Sequence, residues 1–112
     1  MNHRLVIKEL ESGFKYDNYF ELVHFLKQQC KGTISRIDKL KFSKTTNHFM
    51  RINANDTAFF VNVDVEYDKK LGESDRTVTS RIVYLEFFNT VDIDWMIDIY
   101  NKAKEFFQIK NI

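Results

Sequence analysis

Apolar residues recur at every second position from Phe59 through Val61, Val63 and Val65 to Tyr67, separated by Phe60, Asn62, Asp64 and Glu66. That two-residue period belongs to a β-strand with one buried face. A polar break at 68–75, with Gly72 inside it, precedes a second β-rich run from Arg76 through Val78, Ile82 and Tyr84 to Phe88. Together the two runs predict an antiparallel hairpin. Matching Val65 to Val78 sets Val63 opposite Ser80, Val61 opposite Ile82 and Phe59 opposite Tyr84. On the other face it pairs Glu66 with Thr77, Asp64 with Thr79, Asn62 with Arg81, Phe60 with Val83 and Ala58 with Leu85. A one-residue slip turns every side chain of a strand to the opposite face, so the hydrophobic match predicts a definite register.

The period changes on either side of this hairpin. Tyr19, Leu22, Val23, Leu26 and Cys30 share one face at helical spacing, with Glu21, Lys27 and Gln28 off it, which predicts a helix over 19–31. Asn18 and Glu21 have the spacing of a reciprocal N-terminal cap, and Gly32 can supply the left-handed residue that ends a helix. A second helix is predicted over 93–107. Its stripe is Ile93, Met96, Ile97, Tyr100, Ala103 and Phe107, with Asp92 as N-cap, Asp94 favoured by the helix dipole, and an Asp98–Lys102 pair one turn apart. Residues 4–11 and 48–54 read as strands. In 33–43, Ile34, Ile37 and Leu40 have helical spacing while Leu40 and Phe42 alternate; the break at Gly32 favours a strand.

The predicted order is β-α-β-β-β-β-α, a single α+β domain spanning residues 1–112. Both helices have one apolar stripe and need a sheet face to cover it. A two-layer sandwich satisfies both, with an antiparallel sheet of four to five strands and the helices packed on the face of Val61, Val63, Val65 and Ile82. The reverse face would then present Phe60, Val83, Leu85 and Phe87 to solvent, rimmed by Asn62, Asp64, Glu66 and Arg81. Exposed apolar clusters of this kind mark contact sites. The alternative is that the sheet curls, or that 4–11 folds over the cluster as ordinary core.

At 112 residues the chain can bury about two-thirds of its unfolded surface, so a core forms without staples. Eleven phenylalanines and five tyrosines make that core aromatic. A net charge of +1 provides no overall field toward nucleic acid or an anionic membrane. Cys30 stands alone, which excludes an internal disulfide and fits a reducing compartment. Charges at Arg4, Lys8 and Glu9 interrupt the first ten residues, and no apolar run is long enough to span a bilayer. The expected location is the cytoplasm.

Little in the sequence points to catalysis. The spacing of Asp92, Asp94 and Asp98 fits helix capping better than Mg²⁺ ligation, and Asp64, Glu66 and Asp68 fit a solvated strand. His3, His24 and His48 have no partner at metal-ligand spacing. The chain has no G-x-S-x-G, and its three scattered glycines make no phosphate loop. The reading is therefore no enzyme, no metal and no cofactor. It is a small protein-binding module, an immunity-type or phage-type inhibitor or an accessory subunit, which docks by its sheet face on another protein or a second copy. One alternative is single-stranded nucleic-acid binding through Lys31, Arg36, Lys39, Lys41, Lys44 and Arg51 in the basic 27–51 region. Another is a ligand pocket or enzyme site between helices and sheet, lined by Trp95, Tyr100 and His24.

Overall fold

Covering the valine face of the central strand organises the rest of the molecule. The computed structural model describes residues 2–10 and 16–111. In chain order these form β1 (His3–Leu10), α1 (Tyr16–Cys30), β2 (Thr33–Lys41), β3 (Thr45–Ala54), β4 (Thr57–Tyr67), β5 (Val78–Phe87) and α2 (Ile93–Lys110). All five strands join one antiparallel sheet in the order β1-β5-β4-β3-β2. The fold is the predicted α+β sandwich, and the ambiguous 33–43 segment is a strand.

Both helices pack on one face, where Leu22, Val23 and Leu26 of α1 and Met96, Ile99, Ala103, Phe106 and Phe107 of α2 join Met50, Ile52, Phe59, Val61, Val63 and Val65 in one buried cluster. Burying each such side chain stabilises the fold by about 1.5–3 kcal/mol. The Tyr19 hydroxyl donates to the Val61 carbonyl at 2.7 Å. Between the helices, Phe25 meets Phe106 at 5.6 Å and Lys110 pairs with Glu21 at 2.7 Å.

The register of β4 and β5 differs from the predicted one. Phe59 faces Phe87 rather than Tyr84, Val61 faces Leu85 rather than Ile82, and Val63 faces Val83 rather than Ser80. The offset is odd, so the whole of β5 is turned over. Val83, Leu85 and Phe87 are therefore fully buried beneath the helices and are not surface residues. Arg81 also lies on the helix side, opposite Val65. The physical reason is Glu86: the predicted register would place its carboxylate under the helical layer, where an unpaired charge is very unfavourable. A bulge between Glu66 and Tyr67 then steps the register by one residue and sets Tyr67 opposite Val78. Asp68 closes the loop, accepting from the Thr77 amide and hydroxyl at 2.8 Å each. Phe59 and Phe87 stack at 5.1 Å with Trp95 edge-on to both.

Helix details differ too. The first helix begins at Tyr16, so Asn18 lies inside its first turn, and Glu21 pairs with Lys110 instead of capping. Lys31, not Gly32, takes the left-handed conformation, with φ 53°. Gly32 serves close packing, since a Cβ there would meet the Asn53 carbonyl at 2.7 Å. On α2 the buried stripe is rotated toward Ile99 and Phe106, leaving Ile93 and Ile97 exposed. The Asp92 cap to the Trp95 amide (2.9 Å) and the Asp98–Lys102 pair (2.9 Å) are as predicted.

Candidate functional site: the bare face of the sheet

Side chains alternating with the core residues of each strand point away from the helices. At the centre of this face β3, β4 and β5 bring Asn47, Asn62, Asp64 and Tyr84 together. The Asn47 amide nitrogen lies 2.7 Å from an Asp64 oxygen, 3.1 Å from the Asn62 carbonyl and 3.2 Å from the Tyr84 oxygen. Its two hydrogens are thus shared among three acceptors. The Tyr84 hydroxyl donates to Asp64 at 3.3 Å. Arg4 of β1 closes the group, 4.0 Å above the Tyr84 ring and 3.9 Å from Asp64. Burial, reinforced by the Asp64 charge, pushes the Tyr84 hydroxyl up to about 12. Asn62 is only 3% exposed, and its amide nitrogen has no acceptor among the described residues. That is an expensive donor to leave unpaired.

Beside this polar group runs a row of aromatics. Phe49 meets Phe60 at 6.0 Å and Phe60 meets Phe88 at 5.9 Å, both edge-to-face. Guanidinium groups sit over the row, Arg36 at 5.3 Å from the Phe49 ring and Arg51 at 5.9 Å from the Phe60 ring. Arg51 Nε also donates to Asn53 at 3.0 Å.

Of the residues predicted for an interface, Phe60, Asn62, Asp64 and Glu66 share this face, while Val83, Leu85, Phe87 and Arg81 do not. Glu66 accepts from Ser80 at 2.9 Å. Asn47, Phe49, Tyr84, Phe88 and Arg4 were missed. The signal for the first two was present in the sequence, since Asn47, Phe49, Arg51 and Asn53 alternate with His48, Met50, Ile52 and Ala54.

The six basic residues predicted for nucleic-acid binding are divided. Arg36 and Arg51 face each other on the bare side, whereas Lys39 and Lys41 project to the helix side of β2. Lys44 lies between β2 and β3, and Lys31 follows α1. By strand register the bare face carries Arg4, Arg36 and Arg51 against Glu9, Asp38, Asp64, Glu66 and Glu86. Carboxylates outnumber cations there, the reverse of a phosphate-binding surface.

A cavity of about 230 Å³ opens on the helix side between α1 and the end of the sheet, lined by Tyr16, Tyr19, His48, Val63, Tyr67 and Arg81 among others. Burial, and then the Lys39 charge, hold His48 below the usual histidine range. Trp95, Tyr100 and His24 are elsewhere: Trp95 packs on Phe59, the Tyr100 hydroxyl donates to the Val6 carbonyl at 2.8 Å, and His24 lies in a groove with Phe25 and Phe106. Burial raises the Cys30 thiol. Among the described residues no three histidine, cysteine or acidic side chains gather as metal ligands, and no helix is long and apolar enough to cross a membrane. No protein-family model, curated protein or solved structure matches this chain.

Proposed function

We propose that the protein is a small non-catalytic binding module, of the inhibitor or accessory-subunit kind, that docks on another protein through the bare face of its sheet. The observation that carries this reading is the combination on one uncovered face of the Phe49–Phe60–Phe88 row, two arginines lying on it, and the buried Asn62 donor without an acceptor. Aromatic and arginine side chains carry much of the binding energy at protein interfaces. The mixed charges of Arg4, Glu9 and Glu86 would form the polar rim.

Photocrosslinking tests it. A benzoylphenylalanine placed at Glu86, directly opposite Phe60, is compared in source-cell extract with one at Glu105, on the exposed side of α2. A discrete adduct at 86 alone, lost on adding Phe60→Ala and Phe49→Ala, is the expected outcome. No adduct, or equal adducts at both positions, overturns the reading, and an adduct of the chain with itself replaces the foreign protein by a second copy.

A further inference from the structure

The two edges of the sheet are guarded very differently. β1 is bulged between Val6 and Lys8, and the Tyr100 hydroxyl of α2 caps its Val6 carbonyl. β2 runs for nine residues at the other edge with no further strand beside it among the described residues, and it exposes Ile37 by 59%, Leu40 by 47% and, just beyond its end, Phe42 by 56%. The direction of its amides is set by two hydrogen bonds. Phe42 N–H reaches inward to the Thr45 carbonyl at 2.8 Å, and Lys39 N–H is taken by its neighbour Asp38 at 2.7 Å. Residues of one parity point their amides to β3, so Ile37, Lys39 and Lys41 point theirs outward. Their side chains all lie on the helix side.

We infer that the β2 edge accepts an extended, acidic segment of another protein as a sixth strand. Charge selects the occupant. Lys31, Arg36, Lys39, Lys41 and Lys44 surround the edge against the single Asp38, which Arg36 already pairs at 2.9 Å. A strand with acids at alternate positions would meet Lys39 and Lys41, its backbone would take the outward amides of Ile37 and Lys41, and an apolar residue would cover Ile37. A second copy fits badly. Antiparallel self-pairing centred on Asp38, Lys39 or Leu40 sets like charges opposite each other, and centring on Ile37 runs the copy across the irregularity between Ile34 and Arg36. The inference extends the reading above in taking a protein as the partner, but it rests on the outward backbone and the helix-side Ile37, Lys39 and Lys41 of β2, so Phe60→Ala leaves it intact.

The test uses the whole chain and a synthetic peptide of about eight residues, with glutamates spaced to face Lys39 and Lys41, a valine to face Ile37 and threonines at the intervening positions. Two companions accompany it, one with lysine for glutamate and one N-methylated at alternate residues to block strand pairing. Amide hydrogen exchange followed by NMR should show the acidic peptide slowing exchange at Ile37 and Lys41 at least about tenfold, with affinity falling as salt rises. The N-methylated and lysine peptides should bind at least about tenfold more weakly. Lys39→Glu with Lys41→Glu should reverse the preference toward the lysine peptide. Unchanged exchange at β2, equal binding of the N-methylated peptide, or concentration-dependent dimerisation through β2 in sedimentation would each overturn it.

Discussion

On the helix-covered face, Val61, Val63, Val83, Leu85 and Phe87 touch one another and the apolar stripes of α1 and α2. One residue away along the same strands, Asn62, Asp64 and Tyr84 share a polar network under Arg4, beside an aromatic row on the face opposite both helices. The covered face has its partners within the chain. The bare face holds a buried amide with no acceptor among the described residues and arginines resting on rings, features that reduce stability or contribute little to it. The difference separates residues that specify the fold from residues that, on the function proposed above, serve recognition.

The largest expected effect tests the covered face. Leu85→Asp should abolish cooperative unfolding, since a charge under the helices costs more than about 4 kcal/mol, and Phe87→Ala should cost about 3–5 kcal/mol in chemical denaturation. Solubility and a normal transition for Leu85→Asp would mean that Leu85 faces solvent. Phe60→Ala, on the adjacent position of the sheet but only partly buried, should cost only about 1–2 kcal/mol. Asn62→Leu should go the other way and stabilise the chain by about 1 kcal/mol, because it removes an unpaired buried donor while Asn47 keeps Asp64 and Tyr84.

Titration gives finer contrasts. Tyr84 should ionise near 12 in the folded protein, and ultraviolet titration against Tyr84→Phe isolates it. Because the folded state holds this proton longer than the unfolded chain, whose tyrosines ionise at about 10, stability should fall as pH rises from about 10 to 12. Asp64→Asn should bring the ionisation partway down, with burial accounting for the larger remainder. On the covered side His48 has the opposite sign. Its folded pKa is depressed, so the unfolded chain takes the proton first and stability should decline as pH falls below about 6.5. His48→Gln should flatten that limb of the profile.

Much of the architecture was legible because the hydrophobic period is strong in β4, in α1 and at the Asp92 cap. The register of β5 was not, since both of its parities are apolar: Val78, Ile82 and Tyr84 on one, Val83, Leu85 and Phe87 on the other. Matching hydrophobicity alone could not choose between them, and Glu86 was the residue that did. The same ambiguity hid the site. Phe60, Asn62, Asp64 and Glu66 were legible from β4 itself and Phe49 from the alternation along β3, but Tyr84 and Arg4 join them only through cross-strand pairings of residues far apart in the chain. The α2 stripe was misjudged in a similar way, Ile97 and Ile99 being equally apolar choices until β1 and α1 decide which one is buried.

Methyl-resolved nuclear Overhauser spectroscopy of the free protein tests the arrangement of the two faces most directly. Contacts from Val61 to Leu85 and from Val63 to Val83, with both pairs also seeing α1 or α2 side chains, are what the account predicts. Contacts from Val61 to Ile82 and from Phe60 to Val83 would contradict it and return Leu85 and Phe87 to the open face.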